Sequence, residues 1–308
     1  MIITHLPQDQ IDRARWDHCV QQASNARIYG ETTFLDHLCD HWDGLIINDY
    51  ETVMPLPWKQ KWGIRYVVQP AFYQQGGLFG KHAEDKVILE QCIQLTRNKF
   101  RFAETTLNSQ NPTDANSRLY TMAYRQNFVL DIRTAFEQIE PTYSSYLAHR
   151  IRRSLKNELT IRQELPATTI IQEYQNRYAR KIKGFSTTDF ARFTRYCYYL
   201  QTANRLHVLS VHTKDGEWIA GAILLRDQHR LYNAVSCLKP DGKKQGANYF
   251  LYDQVIRTFS GKNLLLDFEG SDISGIAYFY EKLGGEKEWY PFIRYNQLPR
   301  IIRYLKKG

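Results

Sequence analysis

The sequence predicts a mixed α/β protein with two domains of one kind, each a mostly antiparallel mixed sheet with flanking helices. Its 308 residues are many for one average domain and enough for two separate cores. Residues 31–131 and 187–295 each pass through a helix, antiparallel strands, a helix and a strand. We therefore expect one domain at residues 1–137 and a second at 138–308.

The first half alternates between helix and strand signals. Helices are predicted at 9–24 and 31–41, followed by strands in "GLIINDY", "TVMPLPW" and "IRYVVQP", a helix in "EDKVILEQCIQL", and strands in "FRFAETTL" and "YRQNFVLDI". The helical period of the third helix predicts one apolar face made of Val87, Ile88, Cys92 and Leu95.

The second half begins with a helix in "PTYSSYLAHRIRRSLKNEL", where proline suits the first turn. A short strand, helices near 167–181 and 187–203, and a meander of "LHVLSVHT", "EWIAGAILLRD" and "RLYNAVSCL" follow. The remaining signals are a helix in "GANYFLYDQVIRTF", a strand in "NLLLDF", a helix in "SGIAYFYEKL", a strand in "EWYPFIRYN" and a basic helix at 298–308, which we expect to pack on the first domain.

Composition favours an anionic partner and a reducing compartment. The formal net charge is +9, which suits a phosphorylated cofactor, a nucleotide-linked precursor or RNA. The five cysteines are scattered and odd in number, as free thiols in a cytoplasmic protein would be. No apolar run approaches 18 residues and no signal peptide is evident, so we expect no integral membrane association.

Metal chemistry is not expected. His37 and His41 have the i, i+4 spacing of a helix, but the sequence supplies no clear third and fourth ligand. The sequence also has no P-loop, dinucleotide fingerprint or nucleophile elbow.

Several motifs together resemble a known superfamily. The order of the meander, "KPDGKKQGANYFLYDQVI", "NLLLDFEGS" and "GIAYFYEKLGG", with "MPLP…YVVQPAFYQQGG" in the first half, resembles tandem GNAT acyltransferases related to the FemAB peptidoglycan aminoacyltransferases. The resemblance implies an acyl thioester held between splayed strands, polarised by a backbone N–H at a bulge and attacked directly by an amine. In the FemAB-related branch an aminoacyl-tRNA ester replaces the thioester, and the acceptor is a peptidoglycan precursor.

Tyr280 matches the tyrosine that protonates the leaving thiolate in the GNAT resemblance. A phenol can donate a proton to a thiolate formed beside it. The other interpretation is a core tyrosine, because Ile276, Phe279, Tyr280 and Leu283 have the spacing of a packed stripe. In the resemblance, Fem-type enzymes have a pattern similar to "FKkgFGG" at this point, with lysine after the first phenylalanine. This sequence has Tyr280 after Phe279, which favours a donor of the acyl-CoA type.

The segment "GKKQGAN" lies where the resemblance places a pyrophosphate-binding loop before a helix. Glycine lets the backbone approach phosphate oxygens, and lysines add charge. A polar turn that caps the helix is the alternative. The predicted donor-binding residues are Asn233 and Val235 at the bulge and Lys243, Lys244, Gln245, Gly246, Ala247 and Asn248 in this loop.

Asp267 follows an apolar strand, a suitable place for a general base that deprotonates an attacking ammonium. Turn and capping chemistry is the alternative for Asp267 and is favoured for Glu269, with Ser271 or Ser274 capping the next helix.

Two segments are candidate acceptor-binding sites. Tyr73, Gln74 and Gln75 could line a cleft, or form a strand with a bulge at the following glycines. Arg150 and Arg153 lie near one helix face, which could bind phosphate or be a solvated basic surface.

The expected function is N-acyl transfer from a CoA-type thioester, such as acetyl-CoA as co-substrate, to a primary amine on a small or peptide-like acceptor. Two alternatives stay open. One is a FemAB-like aminoacyltransferase with tRNA and a peptidoglycan precursor as partners, and the other is a non-catalytic binding protein on the same fold.

Overall fold

The chain packs into two compact units. The computed structural model describes residues 1–178, 184–270 and 273–299. One unit is Met1–Arg125 with the segment that begins at Trp289, and the other is Gln126–Glu288. The sequence predicts a single boundary after residue 137, whereas this packing places the segment from Trp289 with the first unit. The predicted helix 298–308 lies outside the described residues from residue 300 onward.

The first unit holds most of the N-terminal elements. In chain order they are β1 (Ile3–Pro7), α1 (Arg13–Gln22), α2 (Thr32–Leu38), β2 (His41–Ile47), β3 (Thr52–Lys61), β4 (Ile64–Val68), β5 (Phe79–Gly80), α3 (Lys86–Lys99) and β6 (Phe102–Thr106). Strands β1 to β4 pair antiparallel in sequence order, β5 pairs with β3, and β6 runs parallel to β4.

Helix α3 shows where the predicted apolar face was wrong. Its buried residues include Ile88, Leu89, Cys92 and Ile93, whereas Val87 is 65% exposed and Leu95 is 37% exposed. Asp85 caps the helix by accepting hydrogen bonds from the N–H groups of Val87 and Ile88, which places Val87 in the outward-facing first turn.

The remaining elements belong to the second unit, except that the first residues of β7 and the residues of β13 from Trp289 onward belong to the first. They are β7 (Thr121–Asp131), α4 (Phe136–Ile139), α5 (Ser145–Leu155), β8 (Thr160–Arg162), α6 (Ala167–Tyr178), α7 (Thr187–Thr202), β9 (Leu206–His212), β10 (Trp218–Arg226), β11 (Arg230–Leu238), α8 (Pro240–Gln245), α9 (Ala247–Phe259), β12 (Leu265–Asp267), α10 (Ser274–Lys282) and β13 (Glu286–Asn296). Short 3₁₀ turns lie at Gln8–Gln10, Ile28–Gly30 and Glu140–Thr142.

In the second unit, strands β8, β9, β10 and β11 pair antiparallel, β12 runs parallel to β11, and β12 pairs antiparallel with β7. In the first unit, residues Phe292–Asn296 of β13 pair antiparallel with β6. Each unit is therefore a mostly antiparallel mixed sheet with flanking helices, which confirms the predicted fold class.

Helices cover both faces of the second unit's sheet. Ala220 and Ala222 share a buried core with Phe250 and Leu251 of α9. Gly221, between them on β10, instead faces Ile170 of α6, whose side chain an added Cβ would meet at 2.7 Å. Because alternate strand residues point to opposite faces, α9 and α6 lie on opposite sides of the sheet.

In the described part of the chain, none of the helices has the length and apolar character that a membrane span requires.

Candidate active site

The site lies beside the second half of β11, where β12 no longer pairs with it. Strand β12 pairs only with Arg230–Tyr232 of β11, so β11 has an open edge from Asn233 onward. On its other edge, Ile223 pairs with Val235 and Leu224 with Asn233, which makes Ala234 the extra residue of a β-bulge.

Backbone N–H groups face this open edge. The N–H of Lys239 donates to the carbonyl of Ile219 at 2.9 Å, so this group points toward the β10 side. Because successive N–H groups of a strand point to opposite edges, those of Leu238 and Ser236 face the opening. The bulge and the early end of β12 thus place backbone donors at a gap in the sheet.

A cavity of about 1120 Å³ occupies this gap. It contacts Tyr249 and Tyr252 of α9 as well as Tyr174 and Tyr178 of α6, so it passes from one face of the sheet to the other. Among the charged residues in its described wall, Arg177, Lys239, Lys243 and Lys282 are basic and Glu269 is acidic. This excess of positive charge suits an anionic ligand.

Tyr280 lies in the wall of this cavity. It is 6% exposed, its ring stacks on Phe268 with centroids 4.6 Å apart, and its hydroxyl accepts a hydrogen bond from Asn233 Nδ2 at 3.3 Å. Burial, followed by the neighbouring Tyr252 hydroxyl, raises the pKa of Tyr280 well above 10. The phenol is therefore protonated at neutral pH and available as a donor.

The two interpretations of Tyr280 are compatible, because it is packed in the core and also borders the cavity. Leu283 is buried with it, but Ile276 is 39% exposed and lies in the cavity wall. The predicted core stripe was wrong for Ile276.

The predicted pyrophosphate loop folds mostly as helix α8. Pro240 occupies its first turn, and Gly246, at φ +72°, ends it and begins α9. Of the eight predicted donor residues, Asn233, Lys243 and Asn248 line the cavity, whereas the other five, all described, lie outside it. Those five are Val235, Lys244, Gln245, Gly246 and Ala247.

Specific contacts hold several of these five elsewhere. Lys244 Nζ pairs with Asp241 Oδ1 at 2.7 Å, and the Gln245 carbonyl accepts from Asn157 Nδ2 at 2.9 Å. Val235 and Ala247 are buried.

Asp267 lies inside the core and is fully buried. Its Oδ2 accepts from Arg230 Nη1 at 2.7 Å, and its Oδ1 accepts from Asn127 Nδ2 at 3.0 Å and from the N–H of Glu269 at 2.9 Å. Glu288 also pairs with Arg230, at 2.7 Å. These partners favour a structural role for Asp267, and its predicted role as a base stays a prediction.

Arg230, Asp267 and Glu288 form an ion cluster in which the cation lies between two carboxylates and stabilises both. Burial lowers the pKa of Arg230, but the charges of Asp267 and Glu288 outweigh it and raise that pKa overall. Arg230 is therefore a permanent cation between two carboxylates.

Tyr73, Gln74 and Gln75 lie buried in the first unit. The chain after them returns to the end of β6, where the N–H of Gly76 donates to the Thr106 carbonyl at 3.3 Å and Gly76 forms a bridge with Leu107. These contacts attach the segment to the end of β6, and its predicted role in acceptor binding stays a prediction.

Helix α5 carries the two predicted acceptor arginines. The Arg150 guanidinium lies 4.9 Å from the centre of the Tyr249 ring, and the Tyr146 hydroxyl lies 3.2 Å from that of Tyr249. Arg150 therefore adjoins the cavity wall, while Arg153 is exposed. Their predicted acceptor role stays a prediction.

Most of the aromatic wall was not predicted. Successive ring contacts run from exposed Tyr146 inward to Tyr280. The rings, in that order, are Tyr146, Tyr249, Phe279, Tyr252, Phe268 and Tyr280. The 21 tyrosines of the sequence were the available signal, but they do not reveal which of them meet.

The histidine pair considered for metal binding has other contacts. His37 Nδ1 lies 2.7 Å from the Thr33 carbonyl, and the His41 ring stacks on Trp58 at 4.3 Å. Within the described ranges, no group of three or more His, Cys, Asp or Glu side chains could hold a metal ion.

Comparison with known proteins agrees with this architecture. Residues 147–272 match the family described as acetyltransferase (GNAT) domain. The crystal structure of FemX is similar over 100% of both chains, with 11% identity and a TM-score of 0.68. The chain has a tandem GNAT fold. A tandem GNAT protein from the clavulanic acid biosynthesis pathway is similar over 97% of this chain and 99% of its own, with 10% identity and a TM-score of 0.55.

A third similar structure is the C-terminal domain of a putative lysylphosphatidylglycerol synthetase from Agrobacterium fabrum. It is similar over 96% of this chain and 94% of its own, with 10% identity and a TM-score of 0.58. No curated protein sequence matches this chain. The GNAT domain match and the acyltransferase fold support a transferase.

Proposed function

We propose that this protein transfers an acyl group from a CoA-type thioester to a primary amine, in the cavity of the second unit. The observation that carries the proposal is the gap beside β11, where backbone N–H groups, Tyr280 and a basic rim meet at one cavity. A thioester seated there has its carbonyl oxygen near the N–H groups of Ser236 and Leu238. Such donors stabilise the negative charge that develops on this oxygen during attack.

The proposed reaction needs no covalent enzyme intermediate. The amine nitrogen bonds to the carbonyl carbon, the carbon–sulfur bond breaks, and its electron pair leaves on sulfur. Tyr280 donates its proton to that sulfur. Asn233 orients the hydroxyl through its amide group. Positioning of the two substrates contributes much of the remaining rate enhancement.

The basic rim supports an anionic donor. Lys243 lines the cavity and is exposed, whereas its neighbour Lys244 pairs with Asp241 outside the cavity wall. These adjacent lysines therefore form a matched pair for an experiment. They carry the same side chain, but only Lys243 lines the cavity, and Lys244 pairs with Asp241.

Calorimetry with acetyl-CoA tests the donor. We expect binding tighter than about 1 mM. Lys243→Glu should weaken it about tenfold or more, since it places a carboxylate beside donor phosphates. Lys244→Glu should have a much smaller effect. Absence of binding by the wild type, or equal effects of the two substitutions, would contradict this placement of the donor.

One observation favours an aminoacyl-tRNA donor as the second candidate. The aromatic wall from Tyr146 to Tyr280, with Arg150 over the Tyr249 ring, is the combination that holds unpaired nucleotides by stacking and charge. The same calorimetry with aminoacyl-tRNA distinguishes the two donors. Binding of tRNA that weakens steeply with salt, together with no binding of acetyl-CoA, would favour this candidate.

A further inference from the structure

Glu269 is distinguished by its charge among the residues around the cavity. It is the only acidic side chain in the part of the cavity wall that the structure describes, where four basic side chains also lie. A primary amine is mostly protonated at neutral pH, and it must lose a proton before its nitrogen can attack a carbonyl. A carboxylate in the cavity both attracts the ammonium and can accept that proton.

The backbone at Glu269 has an unusual conformation. Its φ is +62°, in the left-handed region that non-glycine residues seldom adopt, and Gly270 follows with φ +62°. A non-glycine residue keeps this conformation where its contacts hold it there.

The backbone of Glu269 is hydrogen-bonded to the ion cluster of Arg230, Asp267 and Glu288. The N–H of Glu269 donates to Asp267 Oδ1 at 2.9 Å, and Asp267 is held by Arg230 and Asn127. Asp267 thus fixes the backbone on which Glu269 stands. Asp267, at the end of the strand, therefore supports the backbone, and Glu269, two residues later, lines the cavity.

Glu269 also adjoins the proposed proton donor along the chain. Phe268 immediately precedes it and stacks on Tyr280 at 4.6 Å, with the rings 18° from parallel. The N–H of Phe268 donates to the Phe128 carbonyl at 2.9 Å, which further fixes this segment. Glu269 and Tyr280 therefore lie in one wall of the cavity, joined by these contacts of Phe268.

We propose that Glu269 is the general base that deprotonates the acceptor ammonium, in a role that rests on the acyl transfer proposed above. Glu269 takes one proton from the ammonium, which leaves a neutral amine. The amine forms the carbon–nitrogen bond, the carbon–sulfur bond breaks, and the Tyr280 proton passes to sulfur. The Tyr280 oxygen then regains a proton from the new amide nitrogen, and Glu269 releases its proton to solvent.

Two substitutions of Glu269 test this role. Glu269→Gln keeps the size of the side chain and removes the basic carboxylate. Glu269→Gly removes the side chain, and glycine adopts the positive φ of this position without strain, so the backbone can keep its conformation. Glu281→Gln is the control, because Glu281 is an exposed carboxylate on α10 that pairs with Lys287 at 3.5 Å. Thermal unfolding of each variant confirms that it is folded.

The assay follows thiol release from acetyl-CoA with a pool of amino acids, amino sugars and polyamines as acceptors. At pH 7, kcat/KM should fall about 10²-fold in Glu269→Gln. The deficit should shrink toward pH 10, where the free amine predominates without a base. Added acetate should restore part of the activity of Glu269→Gly, and the affinity for acetyl-CoA should not fall, because both variants remove a negative charge from the wall that binds an anionic donor.

The outcomes separate the two proposals. If the wild type transfers acyl groups and Glu269→Gln keeps its activity at pH 7, the base role is overturned while the proposed function stands. A loss that is the same at every pH, with no rescue by acetate, also overturns the base role. If the wild type transfers no acyl group from acetyl-CoA at any pH, the proposed function and the base role are overturned together.

Discussion

Replacing Asp267 by asparagine should destabilise the protein, because the carboxylate is fully buried and anchors a cluster of charges. The substitution keeps the size of the side chain, so it leaves no cavity, but it removes the negative charge. It weakens the contact with Arg230 at 2.7 Å and the two bonds from Asn127 and from the N–H of Glu269.

The size of the effect follows from these contacts. Removing one partner of a buried ion pair costs about 3–5 kcal/mol, and hydrogen bonds to charged groups contribute about 1.5–3 kcal/mol each. Glu288, which is 22% exposed, stays paired with Arg230 and limits the loss. We therefore expect the free energy of unfolding to fall by about 3 kcal/mol.

Urea unfolding monitored by circular dichroism measures this change. Lys214→Met is the control, since Lys214 pairs with Glu158 at 3.0 Å on the surface with both side chains well exposed, and no measurable change is expected. If Asp267→Asn loses less than about 1 kcal/mol and transfer activity nevertheless disappears, the structural role is refuted and the base role predicted from the sequence is favoured.

Two other predictions concern packing and thiol reactivity. Gly242→Ala should destabilise the protein by about 1–3 kcal/mol in urea unfolding, because the new Cβ would lie 2.4 Å from the Ile219 carbonyl oxygen. Gly275→Ala on α10 is the control, and it should be neutral or stabilising because the new Cβ would meet no atom within 4 Å. Equal effects would contradict the close approach at Gly242. Burial raises the pKa of Cys237 to about 12, so alkylation of this thiol should be very slow at pH 7. The alkylation rate, measured by peptide mass spectrometry, should rise about tenfold per pH unit. Fast labelling of Cys237 at neutral pH would contradict its burial.

The order of the elements was predictable because each had a local signal. The strand-turn-helix unit that carries Tyr280 could be placed from "NLLLDF" and "SGIAYFYEKL" alone. Helix α8 also had such signals, a proline in its first turn and a glycine at its end, but six residues are too few to establish a period.

The site was less predictable because it depends on how strands end and shift. The cavity requires that β12 stop pairing at Tyr232 and that Ala234 form a bulge, and neither is marked by a residue type. Tyr73 likewise packs against Gly76, which forms a bridge with Leu107, a residue distant in sequence. The sequence likewise does not indicate which of the two nearby acidic residues, Asp267 or Glu269, lines the cavity.

Comparing Tyr280→Phe with Tyr295→Phe in an acyl-transfer assay tests the central claim most directly. Both substitutions remove a hydroxyl from a buried tyrosine, but Tyr280 lines the cavity of the second unit and Tyr295 belongs to the core of the first. We expect kcat to fall about 10²-fold or more for Tyr280→Phe, with little change for Tyr295→Phe. Unchanged turnover in Tyr280→Phe would contradict the claim that acyl transfer takes place at this cavity with Tyr280 as the proton donor.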